Sequence, residues 1–215
     1  MNAHNKLAGM FGKAGQDKKA DPKKKVKYTW QQNVALYLHD MIFMLVIVMA
    51  VLMLFLRVIV VDGPSMENTL LNGDYMLLVG NMFYKDPSYG DIVVVSKQAY
   101  DNGKPIVKRV IATEGQTVDI DFNEGIVYVD GVALDEPYTK TLTTLREGSD
   151  FPQVVEEGNV FVMGDNRNNS KDSRSTQIGQ VDKREVLGKV IFLMYPGTGM
   201  KGDQARDFDR IGAIA

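Results

Sequence analysis

An uninterrupted apolar run over residues 41–56, which continues past Arg57 to residue 61, constrains this chain more than any other feature. As a helix, residues 41–61 would rise about 31 Å at about 1.5 Å per residue, close to the hydrocarbon thickness of a bilayer. The charged head of Arg57 can reach the membrane interface, because long basic side chains extend toward water. We therefore predict a transmembrane anchor over residues 34–61 and a separate domain over residues 62–215.

Two other interpretations compete with an anchor. A cleaved signal peptide has a short leading region and a small-x-small cleavage site, whereas this run leads into Arg-Val-Ile-Val-Val-Asp. A buried core helix carries its apolar residues on one stripe, whereas this run is apolar on all sides. Both comparisons favour an uncleaved anchor.

Residues 1–33 are polar and contain eight lysines but only two aspartates. Such a run is typical of a solvated tail, and before a membrane span its lysines also favour the cytoplasmic side. We predict a single-pass protein of the cell membrane, with residues 1–33 as a cytoplasmic basic tail and the domain after the anchor outside the cytoplasm.

Composition excludes several kinds of site. The chain has no cysteine, which excludes disulfides, thiolate zinc sites and cysteine nucleophiles. Its two histidines, His4 and His39, lie in the tail and at the edge of the apolar run, so a Ser-His-Asp triad is not available. A net charge of −2 argues against general nucleic-acid binding. A serine nucleophile here would need a different base, and lysine is the main candidate.

Beyond residue 74, short runs rich in β-branched and aromatic residues alternate with turn pairs. Helical periodicity is absent from most of this region, so we predict an all-β fold with one N-terminal transmembrane helix. Residues 136–158 show no convincing period and are expected to form a loop-rich excursion. Hairpin turns are predicted at Asn102-Gly103 and Asp130-Gly131. The predicted strands cover residues 75–79, 91–96, 106–112, 117–122, 125–129, 160–163 and 186–194.

Ser65 follows the apolar run in the stretch Asp-Gly-Pro-Ser-Met-Glu. Gly63 and Pro64 cannot continue a regular helix or a central strand, so Ser65 should lie at a bend with its backbone N–H free to face a reacting carbonyl. A serine after Gly-Pro is more often a turn residue that hydrogen-bonds its own backbone. On this stretch alone the turn residue is the favoured interpretation.

Lys108 lies inside the apolar run Ile-Val-Lys-Arg-Val-Ile. Strand alternation places Lys108 on one face with Ile106 and Val110, and Arg109 on the other. Burial among apolar neighbours would disfavour the ammonium form and lower the lysine pKa, which leaves a neutral amine able to accept a proton. A lysine on a solvated edge strand, where charge discourages aggregation, is the competing interpretation.

Residues 163–174, Met-Gly-Asp-Asn-Arg-Asn-Asn-Ser-Lys-Asp-Ser-Arg, are polar and lie between two apolar runs. They loosely resemble a calcium loop, but Arg167 occupies a ligand position and Thr176 stands where a bidentate glutamate belongs. We therefore reject calcium binding. The same residues also suit an Asx-rich loop that is stabilised by its own hydrogen bonds.

In this order and spacing, the serine, the strand lysine and the serine-bearing polar loop resemble the motif set of the type I signal peptidases, in the single-anchor form of Gram-positive bacteria. The resemblance covers residues 34–195. It implies a membrane-anchored Ser/Lys protease that removes N-terminal signal peptides from exported preproteins, without a metal or organic cofactor. The implied partners are preproteins, the lipid bilayer and the protein export channel, and nucleic acid is not among them.

The resemblance also implies roles for individual residues. Ser65 would be the nucleophile and Lys108 its general base. Ser170 would hydrogen-bond Lys108 and orient it, while Asp172 and Arg174 would pair to hold the polar loop.

Substrate contacts follow from the same resemblance. Gly63 lacks the hydroxyl that some members place there, so the oxyanion would depend mainly on backbone N–H groups, with that of Ser65 first. The substrate should bind as an added strand between the chain leading to Ser65 and the lysine strand. Small side chains at substrate positions −1 and −3 would enter shallow apolar pockets lined by Val61, Met66, Leu70, Ile106 and Val107.

Four positions depart from the family pattern. Asn68 stands where proline is usual, Ala112 where glycine is common, Glu114 where proline usually continues the lysine motif, and Asn168 where aspartate is frequent. None of these departures removes a reacting group. They bear on the turn geometry after each motif, and through it on rate and substrate range.

Two rival functions fit parts of the pattern. A self-cleaving repressor resembles these proteases in its Ser/Lys dyad and β fold, but it would need a DNA-binding helix-turn-helix in front and no anchor. A membrane-tethered β domain that scaffolds surface-protein assembly, with decayed motifs, agrees with the altered flanking residues. The presence of both Ser65 and Lys108 argues against the scaffold.

Overall fold

The computed structural model describes residues 29–202 and 205–214, so the predicted basic tail lies almost entirely outside the described residues. Within them, α1 (Trp30–Phe55) is the single α-helix, and its sequence contains neither glycine nor proline. Thr29 caps it, since its hydroxyl accepts from the Gln32 N–H at 3.3 Å while the Gln32 amide oxygen accepts from the Thr29 N–H at 2.9 Å.

By length and composition, Trp30–Met53 can cross a membrane. The contacts divide the chain into two compact units, with the boundary inside α1 after Val46. The helix ends at Phe55, which corrects the prediction that it continues to residue 61. Leu56–Val60 is instead strand β1, antiparallel to Tyr75–Gly80. Its β-branched residues suit an extended backbone, and the pairing supplies its hydrogen bonds.

Two antiparallel sheets form the domain that follows. Besides β1, the strands are β2 (Tyr75–Gly80), β3 (Ile92–Val95), β4 (Ile106–Thr113), β5 (Thr117–Asp121), β6 (Ile126–Val129), β7 (Val132–Ala133), β8 (Gln153–Val154), β9 (Asn159–Met163), β10 (Val181–Asp182), β11 (Val186–Tyr195) and β12 (Gly212–Ala213). The larger sheet has the order β1-β2-β11-β3-β4-β9-β10, with β12 paired to β11, and the smaller has the order β7-β6-β5-β8. The fold class is therefore all-β with one N-terminal apolar helix, as predicted.

Each of the seven predicted strands corresponds to an observed one, whereas β1 and the two-residue strands β7, β8, β10 and β12 were missed. Asp130-Gly131 does join β6 to β7, with φ of 51° and 78°. Asn102-Gly103 is not a two-residue hairpin. Strands β3 and β4 pair through a longer loop that contains a 3-10 turn, and the Ser96 hydroxyl closes it by donating to the Gly103 carbonyl.

Apolar clusters pack against the larger sheet, and one of them holds the loop that carries Ser65. One cluster joins buried residues of this loop to β2, β3, β4 and β11. A second packs β4 and β9 against the smaller sheet, with Ile111 and Phe161 facing Val118 and Val127. Strand β4 is buried along nearly its whole length, so any polar group on it is removed from water.

Candidate active site

The loop between β1 and β2 presents Ser65 beside a cavity, while apolar residues of the same loop before and after it are buried. Met66 and Leu70 are 0% and 1% exposed and pack into the cluster around Val61. The Leu70 N–H donates to the Met66 carbonyl at 2.8 Å, which closes a tight turn after the serine. Gly63 precedes it with a φ of +111°, a conformation that favours glycine. Buried neighbours on both sides therefore hold Ser65 in place.

Lys108 lies in β4, between β3 and β9, so the edge-strand interpretation is wrong. Its side chain is buried, and Nζ lies 2.8 Å from the Ser65 Oγ and 3.0 Å from the Val107 carbonyl. Burial lowers the pKa of Lys108 to about 8, although the carboxylates of Asp172 and Asp165 act in the opposite direction. A minor but usable fraction of the amine is therefore neutral near pH 7, about one tenth.

The polar loop after β9 carries a buried ion pair. Arg174 donates from Nε to Asp172 Oδ1 and from Nη2 to Oδ2, both at 2.8 Å, and neither side chain is exposed. Asp172 also accepts from the Gly164 N–H at 3.0 Å. Burial alone would raise the pKa of Asp172, but the Arg174 guanidinium holds this pKa below its ordinary value. Asp172 thereby links Gly164 at the start of the loop to Arg174 at its end.

The hydrogen bond of Ser170 differs from the predicted one to Lys108. Its hydroxyl donates to Asp172 Oδ2 at 2.8 Å, and among the described residues no hydrogen bond joins Ser170 to Lys108. The ionised carboxylate is the stronger acceptor, which accounts for the orientation of the hydroxyl. Ser170 still lines the same cavity as Lys108.

Gly164 is a site residue that sequence reasoning missed. An ideal Cβ there would lie 2.2 Å from the Ser170 Oγ and 2.5 Å from the Ser65 carbonyl oxygen. No side chain fits between these two groups without moving one of them. The sequence shows a glycine after a strand. It does not show that the Ser170 side chain and the Ser65 carbonyl pack directly against this glycine, because that contact depends on how the two loops fold together.

Asp165 and Asn166 join the polar loop to the Ser65 turn, a function that the sequence did not reveal. Asp165 accepts two hydrogen bonds from Arg109, at 2.9 and 2.8 Å, and one from the Thr69 hydroxyl at 2.5 Å. The Asn166 N–H donates to the Ser65 carbonyl at 3.0 Å. Both turn and loop are thereby fixed relative to β4.

The cavity beside Ser65 has a volume of about 380 Å³. Two ion pairs lie at its charged walls, Lys104 with Asp62 at 2.7 Å and Lys171 with Glu147. Its lining comprises Asp62, Gly63, Pro64, Ser65, Tyr100, Asp101, Lys104, Pro105, Ile106, Lys108, Glu147, Asn168, Asn169, Ser170 and Lys171.

The structure corrects the predicted pocket lining. Of the five residues, Ile106 alone lines the cavity. The other four are buried in one apolar cluster, because both the Ser65 loop and β4 are covered by packing: Val61, Met66, Leu70 and Val107. Most of the residues that line this cavity belong to polar loops, and the position of these loops beside Ser65 could not be inferred from apolar patterning.

Two of the four positions that depart from the family pattern, Asn68 and Asn168, have side chains that hydrogen-bond to neighbouring loops. Asn68 has a φ of +97°, which proline cannot adopt, and its amide donates to the Tyr138 carbonyl at 3.1 Å. The Asn168 amide oxygen accepts from the N–H groups of Thr144 and Leu145, and its nitrogen donates to the Leu142 carbonyl at 3.0 Å.

Among the described residues, no cluster of three or more His, Asp or Glu side chains is placed to hold a metal ion.

Three kinds of comparison relate this chain to known proteins. The family model described as signal peptidase, peptidase S26, matches residues 34–195. Probable signal peptidase I-1 of Synechocystis sp. is 38% identical over 167 residues, which cover 72% of this chain and 81% of that protein. Signal peptidase I S of Bacillus subtilis is 36% identical over 155 residues, covering 66% and 78%. The crystal structure of a signal peptidase I from Enterococcus faecalis V583 is 30% identical and covers 49% of this chain and 97% of its own, with a TM-score of 0.40.

Proposed function

Since this chain belongs to the signal peptidase family, peptidase S26, and is a serine protease of the signal peptidase I type, we propose that Ser65 and Lys108 are its catalytic dyad. The observation that carries the proposal is the 2.8 Å separation of Lys108 Nζ from Ser65 Oγ at a buried lysine. The reaction is the removal of N-terminal signal peptides from exported preproteins.

Lys108 would act as general base and then as general acid. With a pKa of about 8, about one tenth of the amine is neutral at pH 7. The neutral amine takes the Ser65 proton, the alkoxide attacks the scissile carbonyl, and the lysinium protonates the leaving amine. Lys108 then activates a water molecule, which hydrolyses the acyl-enzyme.

The backbone N–H of Ser65 is the oxyanion donor that we favour. Among the described residues it has no hydrogen-bond acceptor, so it is available to a developing oxyanion. The Gly63 N–H, in contrast, donates to the Asn72 side chain at 2.9 Å. Gly63 would therefore support the turn and not contact the oxyanion.

The polar loop would support the dyad without reacting. Asp172 and Arg174 hold the loop closed, and Ser170 lies between this pair and the cavity. Gly164 permits the loop to lie against the Ser65 carbonyl. Each of these groups would act by keeping Ser65 and Lys108 at proton-transfer distance.

The substrate would lie extended in the cavity, between the chain leading to Ser65 and β4. Ile106 is an apolar wall residue beside this path, and small side chains at positions −1 and −3 are expected there. The charged walls around Lys104 and Lys171 would face more polar parts of the preprotein.

Helix α1 would anchor the enzyme in the lipid bilayer as a single span. The lysines before it favour a cytoplasmic amino terminus, which places the catalytic domain outside the cytoplasm. We retain residues 1–33 as the cytoplasmic tail and 62–215 as the catalytic domain, with β1 joining the anchor to it. The export channel is a further expected partner, because it delivers the substrate at this membrane.

The decisive experiment incubates the detergent-solubilised chain with an exported preprotein and follows release of the mature protein. We expect cleavage by the wild type and none by Ser65→Ala or Lys108→Met. The exposed residues Ser88 and Lys85 provide matched controls, so Ser88→Ala and Lys85→Met should cleave like the wild type. An intact preprotein with the wild type would favour the non-enzymatic scaffold.

Substrate variants test the specificity separately. Bulky or charged residues at −1 or −3 of the preprotein should abolish cleavage by the wild type, whereas the same replacements at −2 should be tolerated. Equal cleavage of all three sets would contradict the proposed requirement for small side chains.

A further inference from the structure

The C-terminal segment, residues 205–214, lies beyond the part of the chain that the family model matches. It is nevertheless integrated into the larger sheet, because β12 pairs with β11 and Ile214 packs against the cluster beneath the Ser65 loop. A 3-10 turn, Phe208–Arg210, lies one residue before β12. The segment therefore holds Arg210 at a fixed position on this sheet.

Arg210 reaches a completely buried carboxylate. Its Nη1 donates to Asp74 Oδ1 at 3.1 Å, and its Nη2 donates to Asp74 Oδ2 at 2.6 Å. Asp74 also accepts from the backbone N–H groups of Leu71 at 2.8 Å and Gly197 at 2.6 Å. Four donors on one carboxylate make a rigid connection, since charge-assisted and bidentate hydrogen bonds are strong and directional.

The same guanidinium contacts the Ser65 turn directly. Arg210 Nη2 donates to the Thr69 carbonyl at 3.1 Å, while the Thr69 hydroxyl donates to Asp165 in the polar loop. The turn of residues 65–70 is thus held on one side by the polar loop and on the other by the C-terminal segment. Asp74 also closes the base of this loop, because its carbonyl accepts from the Val61 N–H at 2.9 Å.

We propose that Arg210 is a positioning residue for the Ser65 nucleophile, acting through Thr69 and Asp74. This inference rests on the proposed function. Arg210 does not line the cavity beside Ser65, so its loss should leave substrate affinity almost unchanged and slow the chemical step. Lysine cannot reproduce a planar fork that engages a carboxylate and a carbonyl together, so the effect should depend on the guanidinium and not on charge alone.

Steady-state kinetics on a preprotein test the proposal. Arg210→Gln and Arg210→Lys should lower kcat by about 10- to 100-fold, the range expected when a reacting group is slightly misplaced, with KM within about twofold of the wild type. Arg206→Gln is the matched control. Arg206 lies in the same segment and donates to the Pro196 carbonyl, but within residues 29–202 and 205–214 no hydrogen bond joins it to the turn of residues 65–70, so kcat should be unchanged.

Chemical rescue separates positioning from general loss of structure. Methylguanidinium added to Arg210→Ala should restore at least part of kcat, and it should have no effect on Arg206→Ala. Wild-type kcat in both Arg210→Gln and Arg210→Lys would overturn the proposal. A reduced kcat that does not respond to methylguanidinium, together with an equal loss in the Arg206 variant, would also overturn it.

Hydrogen exchange provides a measurement that does not require activity. Backbone amides in the peptide covering residues 65–74 should exchange faster in full-length Arg210→Lys than in the wild type or Arg206→Gln. Unchanged exchange would contradict the proposal even if the preprotein assay failed. Conversely, a wild-type chain that does not cleave preproteins, but shows the expected exchange, would refute the proposed function and leave the positioning contact supported.

Discussion

Lys108 Nζ lies 2.8 Å from Ser65 Oγ, although the two residues are 43 positions apart in the chain. The contact joins a loop at one edge of the larger sheet to a strand in its interior. Because the lysine is buried there, its charged form is disfavoured just where a proton acceptor is needed. The packing around Lys108 therefore produces the neutral amine that the proposed reaction requires.

The first prediction concerns the pH dependence of cleavage. Burial lowers the pKa of Lys108 to about 8, and the neutral amine is the active form. We expect kcat/KM to rise about tenfold per pH unit below pH 7 and to level off above about pH 8. Initial rates on one preprotein in a series of buffers at constant ionic strength measure this. A flat profile between pH 6 and pH 9 would contradict Lys108 as the base.

The second prediction is that Lys108→Met makes the protein more stable while abolishing cleavage. The pKa of Lys108 falls from an ordinary 10.5 to about 8 on folding, so the unfolded chain binds the proton more tightly. The resulting cost to stability is fully present below about pH 8 and disappears as the pH rises through 10.5. At pH 7 this cost is as much as about 3 kcal/mol, and methionine would remove it.

Thermal unfolding of Lys108→Met and the wild type, in the same detergent at pH 7 and pH 10.5, measures this effect. The midpoint should be higher for the variant at pH 7, and the two proteins should converge at pH 10.5. Lys85→Met is the control, because Lys85 is exposed and should shift neither midpoint. A variant that is less stable than the wild type at pH 7 would show that the lysine contributes net stability.

The relation between sequence and structure differs from one part of the site to another. Motif resemblance placed Ser65 and Lys108 in one site, and the structure brings them together. It also implied a pairing of Asp172 with Arg174, and the structure has that ion pair. These are polar or charged residues within apolar runs or turns, so they can be recognised from the sequence alone.

Other features depend on contacts between distant segments and were not visible. Apolar composition does not distinguish the end of α1 from β1, because the pairing partner of Leu56–Val60 lies beyond the Ser65 loop. The need for Gly164 arises only where two loops meet. Met66 and Leu70 looked like pocket residues, but a tight turn directs them into the core.

The third prediction is that Gly164→Ala impairs catalysis. The added methyl group would lie 2.2 Å from the Ser170 Oγ and 2.5 Å from the Ser65 carbonyl oxygen, so the loop and the turn must move apart. Displacement of the nucleophile should lower kcat by about 10²-fold. Gly212→Ala is the matched control, because its methyl group meets open space, and it should retain wild-type kcat. Wild-type kcat in Gly164→Ala would mean that the two segments separate without affecting Ser65.

The fourth prediction reverses an expectation from the family pattern. Proline is usual at position 68 in the signal peptidases, yet Asn68→Pro should destabilise this protein. Asn68 has a φ of +97°, whereas the proline ring requires a φ near −65°, so the turn after Ser65 would have to change its conformation. The substitution also removes the hydrogen bond to the Tyr138 carbonyl. We expect a loss of roughly 1–3 kcal/mol in the free energy of unfolding, with a lower kcat.

Asn68→Gly separates the two contributions. Glycine adopts positive φ without strain but cannot donate to Tyr138, so its cost should be only that of one partly exposed hydrogen bond, about 1 kcal/mol or less. The midpoints of thermal unfolding should therefore fall in the order wild type, Asn68→Gly, Asn68→Pro. If Asn68→Pro is instead as stable as the glycine variant, the turn readily adopts the conformation that proline requires. The positive φ of Asn68 would then have no part in holding Ser65.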